Sequence, residues 1–219
     1  MKLIRPSFEI LSDVDGVQMI KNIERAGRTC YKSEGAITDD SAEKFIRMLI
    51  DRGHESVLEH EKLSVKFVCD RGVSHELVRH RIASFSQEST RYCNYSKDKF
   101  NNEITYIIPE WISDEQIELV QRMNEVNYIH ILNSTIIWYG AISESQSAYR
   151  QLIKDGWKPE QARSVLPNSL KTEIVVTANL REWRLIFKQR TAKTAHPQMR
   201  EIMIPLQEKL RELIPVIFE

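Results

Sequence analysis

The sequence predicts one α+β domain, and two observations predict it. Apolar residues recur at helical spacing in some stretches and alternate in others, with the two kinds interspersed and no regular strand–helix–strand repeat. No internal repeat and no Gly-, Pro- or Ser-rich linker divides the chain, and 219 residues suffice to bury a sizeable core.

Residues 2–10 read as a short strand. From Asp13 to Arg28, Val14, Val17, Ile20 and Ile23 fall at helical spacing. Asp39 or Asp40 can cap a second helix, with Ala42, Phe45, Leu49 and Ile50 on one face and Gly53 at its end. Leu63, Val65 and Phe67 alternate with Ser64, Lys66 and Val68, a strand pattern. Residues 72–83 predict a helix with Val73, Leu77 and Ile82 or Ala83 inward, then a polar loop and short strands near 91–96 and 104–108. Ser113 followed by Gln116 is a capping box, and an interrupted helical pattern runs on to Lys154, where Asp155-Gly156 stops it. The β-branched run 171–178 is strand-like, 180–191 is helical, and Pro197 stands near the start of a last helix reaching about Leu213.

Composition removes several function classes. Lys plus Arg and Asp plus Glu number 31 each, and a net charge of zero argues against a non-specific nucleic-acid coat, which needs excess cations to displace counterions. No apolar run approaches the roughly 20 residues of a membrane span, and Met1–Pro6 is too short and polar for a signal peptide. Cys30, Cys69 and Cys93 are odd in number and widely spaced, which suits free thiols in a reducing cytosol. The expectation is a soluble, cytoplasmic protein without a membrane partner.

Glycine-rich nucleotide fingerprints, Walker loops and nucleophile elbows are missing from the sequence. His75-Glu76 with His80 resembles a metalloprotease helix, but a five-residue step separates the rings by about 140°. His54-Glu55 with His60 is spaced too widely, so no metal site is expected.

The uneven feature is arginine. Arg71–Arg91 holds four arginines, two histidines and five hydroxyl residues, and the loop after the helix can wrap a phosphate with hydroxyls, backbone N–H groups and a guanidinium. A solvated, ion-paired surface helix is the bland alternative. Further on, Trp183, Ile186 and Phe187 form an apolar face that Arg190 continues at i+7. A cation there needs a partner, either an internal glutamate or an anionic or electron-rich ligand. Arg163, between small and apolar residues, is a third candidate.

Arg79-His80-Arg81, seven residues, then Ser89 resembles the R-H-R-x7-S motif of the flavin-dependent thymidylate synthases. The likeness continues in order through His54-Glu55-Ser56, Glu59-His60, Arg91-Tyr92, Arg163–Asn168, Asn179-Leu180-Arg181, Arg190 and His196-Pro197-Gln198. It covers the chain from about Arg28 to its end. The resemblance implies one domain over residues 1–219 of the thymidylate synthase-complementing type, with a central, mostly antiparallel sheet flanked by helices. It also implies a homotetramer whose active sites are shared between subunits.

The implied reaction is reductive methylation of deoxyuridylate (dUMP) to thymidylate (dTMP). Methylenetetrahydrofolate is the implied one-carbon donor, and FAD reduced by NADPH the hydride source. Carried over, Cys30, His54, Ser56, Glu59, Arg79, His80, Arg81, Gln87, Asn179, Arg181 and Leu185 match FAD positions. Glu76, Arg79, Gln87, Glu88, Ser89, Thr90, Arg91, Arg163 and Arg190 match nucleotide positions. Arg190 matches the arginine that activates the uracil ring, the implied catalytic group. Glu76 stands where glutamine is frequent, Cys30 where serine is, and Leu185 where asparagine is. The implied role of Ser89 is to position the nucleotide, since its hydroxyl needs an adjacent base to attack. The competing reading is a non-catalytic nucleotide or nucleic-acid binding module using Arg71–Arg91.

Overall fold

A computed structural model describes residues 1–95, 103–122 and 133–219. It is mixed helix and strand, as the sequence predicts. By compactness the chain divides into two units. The first comprises Met1–Pro6, Val68–His75 and Gln87–Glu173, and the second Ser7–Phe67, Glu76–Ser86 and Ile174–Glu219.

The strands are β1 (Lys2–Ile4), β2 (Ser7–Ile10), β3 (Lys62–Asp70), β4 (Ala83–Gln87), β5 (Thr105–Ile107) and β6 (Lys171–Asn179). An antiparallel four-stranded sheet has the order β2-β3-β6-β4. In β3, Leu63, Val65, Phe67 and Cys69 are buried, and in β6 Thr172, Ile174, Val176 and Ala178 are, the period of two that the sequence shows. On the other face of this pair the Ser64 and Thr177 hydroxyls meet at 2.8 Å. The single strand expected over residues 2–10 is two, β1 and β2, parted at Arg5-Pro6.

In the first unit β1 runs parallel to β5, Leu3 opposite Tyr106. Helices α3 (Arg71–Leu77), α4 (Asp114–Gln121), α5 (Asn133–Lys154) and α6 (Pro159–Ala162) belong to it, apart from the last two residues of α3. Ser113 and Gln116 form the expected capping box of α4. Tyr106, Tyr149, Ile104, Ile142 and Leu170 form a core cluster, with Trp138 packed against it half-buried. Residues 91–95 form no strand, and the interruption expected inside the 113–154 helix falls outside the described residues.

Helices α1 (Gly16–Tyr31), α2 (Ser41–Asp51), α7 (Leu180–Arg190), α8 (Pro197–Leu213) and α9 (Pro215–Phe218) build the second unit. Asp15 caps α1 through Gln18 N–H. Its buried stripe is Met19, Ile23 and Gly27, whereas Val17 faces solvent. The reason is α2: a Cβ on Gly27 would stand 2.7 Å from Phe45 Cε1, so this is where the helices approach most closely. Trp183 and Phe187 of α7 stack at 5.7 Å, and Phe187 meets Phe218 edge-on. The last helix expected, α8, is followed by one the sequence did not suggest, α9.

The expected 72–83 helix is shorter. Asp70 Oδ1 accepts from Val73 N–H and caps α3 one residue earlier. After Leu77 the chain tightens into i+3 turns, His80 N–H donating to Leu77 C=O at 3.1 Å. It then enters β4, where a polar loop was expected. Pairing with β6 satisfies backbone groups that a loop leaves to water. Ile82 therefore does not pack inward and is 71% exposed.

Candidate active site

In the second unit the last turn of α7 carries Arg190. Its Nε donates to His80 Nε2 at 3.0 Å, Nη1 to the Glu76 carboxylate at 2.8 Å and Nη2 to the Glu76 carbonyl at 3.0 Å. The cation on the apolar face thus has an internal glutamate, one of the two partners the sequence left open. Three of the five guanidinium N–H groups are engaged, and the other two have no acceptor among the described residues. Glu76 is half-buried, and its carboxylate contact is to Arg190.

His80 is buried, with 5% of its surface exposed. Burial first, and then the Arg190 charge, pushes its pKa down to about 4, so the imidazole is neutral at pH 7. Its other nitrogen, Nδ1, lies 3.4 Å from Glu182 Oε1. Glu182 is equally buried, which raises its pKa against the opposing charge of Arg181. The sequence reading missed Glu182. A signal existed, because 182, 186 and 190 share a face at i+4 steps and put an acid on the stripe of Arg190.

The start of α7 is fixed by Asn179, whose Oδ1 accepts from Glu182 N–H at 2.8 Å. Arg181 pairs with Glu59 at 2.6 Å, and Arg184 donates to Glu55 at 3.1 Å. These residues line a cleft of about 580 Å³ together with Ile82 and the 42%-exposed Leu185. The buried Arg184 Nε has no acceptor among the described residues. His54 Nδ1 and the Tyr31 hydroxyl are hydrogen-bonded at 2.8 Å. Arg79, Arg81, Ser56 and Cys30 are exposed. Neither Arg79 nor Arg81 makes a side-chain hydrogen bond or ion pair among the described residues.

In the first unit, Arg163 Nη1 donates to the buried Thr90 hydroxyl at 2.9 Å. Ser89 opens a tight turn: its Oγ accepts from Arg91 N–H and its carbonyl from Cys93 N–H. No imidazole or carboxylate contacts the Ser89 hydroxyl among the described residues. Arg91 is exposed, its guanidinium 5.3 Å from the Tyr92 ring. Gln87 donates to the Ser74 and Thr172 hydroxyls. The Glu88 carboxylate accepts from Lys171 at 3.0 Å and from the Tyr95 hydroxyl at 3.1 Å. Its own N–H is bound to the Glu173 carbonyl. Burial works against the Lys171 ammonium, but the hydrogen bonds and charges of Glu173 and Glu88 outweigh it and raise its pKa. Burial, then Glu88, pushes the Tyr95 phenol up. Among the described residues no group of three His, Cys, Asp or Glu is placed to hold a metal ion.

The chain has known relatives. Residues 15–216 match the family described as thymidylate synthase complementing protein. A flavin-dependent thymidylate synthase of Pyrococcus furiosus is 35% identical over 195 residues, 87% of this chain and 72% of the relative. One from Geobacter sulfurreducens is 33% identical, covering 88% and 78%. Another, from Mycobacteroides abscessus, is 31% identical, covering 97% and 83%. A match over most of the chain, with relatives of that name at such identity, places this chain in the thymidylate synthase complementing protein family of flavin-dependent enzymes.

Proposed function

We propose that this protein is a flavin-dependent thymidylate synthase that methylates dUMP with methylenetetrahydrofolate, using FAD reduced by NADPH. The observation that carries the reading is Arg190, held at three N–H groups with two left to face a ligand. In the proposal residues 1–219 act as one domain, in a cytoplasmic homotetramer that shares active sites between subunits. Its partners are small molecules; nucleic acid and membrane have no part.

The residues of the α7 cleft fit a flavin. An isoalloxazine needs an apolar wall beside hydrogen-bonding groups, and Ile82 and Leu185 stand beside Arg181 and the unpartnered Nε of Arg184. His54, Ser56, Glu59, Asn179, Arg181 and Leu185 are assigned to it, with Cys30, Arg79, Arg81 and Gln87 completing the set. Arg79 and Arg81, exposed and without an ion pair among the described residues, suit its pyrophosphate. The imidazole of His80 is engaged by Arg190, so what His80 lends to the flavin is its main chain. Bound and reduced, the flavin supplies hydride to the pyrimidine.

The nucleotide phosphate is assigned to Ser89, Thr90, Arg91 and Arg163, whose turn offers hydroxyls and guanidinium groups. Ser89 positions and does not attack, since its hydroxyl touches no base among the described residues. Glu88 uses its carboxylate and N–H within its own unit, so its contact to the nucleotide is through the carbonyl. Glu76 holds Arg190 in place, and Arg190 stabilises negative charge on the pyrimidine.

The test is purification followed by assay. A yellow protein, or one that turns yellow with added FAD, that oxidises NADPH with dUMP and methylenetetrahydrofolate and forms thymidylate bears the proposal out. A colourless protein that takes up no FAD and forms no thymidylate defeats it.

A further inference from the structure

The α7 helix carries a buried carboxylate and a functional arginine on one face, Glu182 and Arg190, eight residues or about 12 Å of helix axis apart. His80 stands between them. Its Nε2 accepts the Arg190 Nε–H at 3.0 Å, and its Nδ1 faces Glu182 Oε1 at 3.4 Å, with side-chain exposures of 4% and 6%. A nitrogen that accepts carries no hydrogen, so a neutral His80 bears its proton on Nδ1, the nitrogen toward Glu182. The other tautomer, or an imidazolium, would point an N–H at a guanidinium N–H and break the contact. Glu182 is the carboxylate that stands beside that Nδ1–H. A carboxylate in the first turn of a helix ordinarily serves the helix end in water; this one is buried and turned to an imidazole.

We propose that Glu182 is a positioning residue for Arg190 and acts through His80, fixing the Nδ1–H tautomer so that Nε2 accepts from the guanidinium. The proposal rests on the reading of Arg190 as the group that faces the pyrimidine. Glu76 holds the two Nη atoms and His80 holds Nε, so loss of the Glu182 acceptor removes the Nε anchor and leaves the guanidinium held through its Nη atoms alone. A loosened transition-state group lowers kcat while leaving substrate affinity nearly unchanged.

The experiment labels the imidazoles with 15N and reads the tautomer at neutral pH in the flavin-loaded protein without substrate. The His80 signal is assigned by its loss in His80→Gln. The wild type shows protonated Nδ1 and unprotonated Nε2. Glu182→Leu moves the proton to Nε2 and lowers kcat for thymidylate formation about tenfold to a hundredfold, with KM for dUMP within about threefold. Glu182→Gln, whose side-chain carbonyl still accepts from Nδ1–H, keeps the wild-type tautomer and most of kcat. A wild-type Nε2–H tautomer or an imidazolium overturns the proposal, and so does a Glu182→Leu protein with unchanged tautomer or unchanged kcat. If the Leu variant does not fold, the wild-type spectrum and the Gln variant decide. If the wild type forms no thymidylate, the proposed function fails, while the tautomer still decides the link from Glu182 through His80 to Arg190.

Discussion

At the residue scale the proposed chemistry converges on Arg190, and its neighbours define what each substitution does. Arg190→Ala removes the fixed cation from a site where it acts more strongly than in water. Thymidylate formation is expected to fall at least about a hundredfold, while bound flavin and its reoxidation by other acceptors persist; retained methylation removes Arg190 from the mechanism. His80 gives a pH prediction whose sign follows from its lowered pKa. Unfolded, the imidazole titrates near ~6.5, and folded, at about 4. Between these values the unfolded chain binds the extra proton. The His80 share of stability is therefore complete above about 6.5 and is lost progressively toward pH 4, by about 3 kcal/mol. Urea midpoints at pH 7 and pH 4.5 measure it, and His80→Gln should show a shallower loss; an equal loss in both proteins contradicts the assignment. Cys93, beside the motif, is half-buried and its replacement tests for a hidden thiol. Turnover of Cys93→Ser is expected within about twofold of wild type, because thiol chemistry needs an activated thiolate. A collapse of kcat with normal folding would revive a cysteine nucleophile.

At the element scale, helix caps separate stability from ligand binding. Asp15→Ala and Asn179→Ala each remove an N-cap acceptor, of α1 and α7, and each is expected to cost about 1 kcal/mol in chemical denaturation. Only Asn179→Ala should weaken FAD retention, since of these two helices α7 lines the cleft and α1 does not; equal flavin loss in both variants would mean that the cleft responds to global stability alone. The same elements show what the sequence reveals. Alternation in β3 and β6, the Ser113 box and the apolar face of α7 are local signals, and the structure follows them. The 72–83 helix and the loop after it were misread because β4 forms by pairing with β6, a non-local gain that local periodicity does not encode. The α1 face shifted from Val17 to Gly27 for a similar reason: a residue without a side chain marks the closest approach, and a hydrophobicity pattern gives it no weight.

At the scale of the whole molecule, 31 cations balance 31 anions, and the balance conceals an uneven placement. Arg28, Arg47 and Arg184 are paired with glutamates, whereas Arg79, Arg81 and Arg91 are exposed and without ion pairs among the described residues. The ordered motif R-H-R-x7-S made the family legible from sequence, and the place of Arg190 on an apolar face made its need of a partner legible. The identity of that partner was not legible. Glu76 lies more than a hundred positions away and was assigned to the nucleotide, and Glu182 carries no motif. No helix among the described residues is long and apolar enough to cross a membrane.

The most direct measurement of the central claim is the stoichiometry of the complete reaction. The purified protein is supplied with FAD, NADPH, methylenetetrahydrofolate and dUMP under anaerobic conditions, and NADPH loss and thymidylate formation are followed together. The account predicts one thymidylate for each NADPH consumed, with none formed when FAD is stripped away. NADPH consumption without thymidylate, or thymidylate formation by the flavin-free protein, would contradict it.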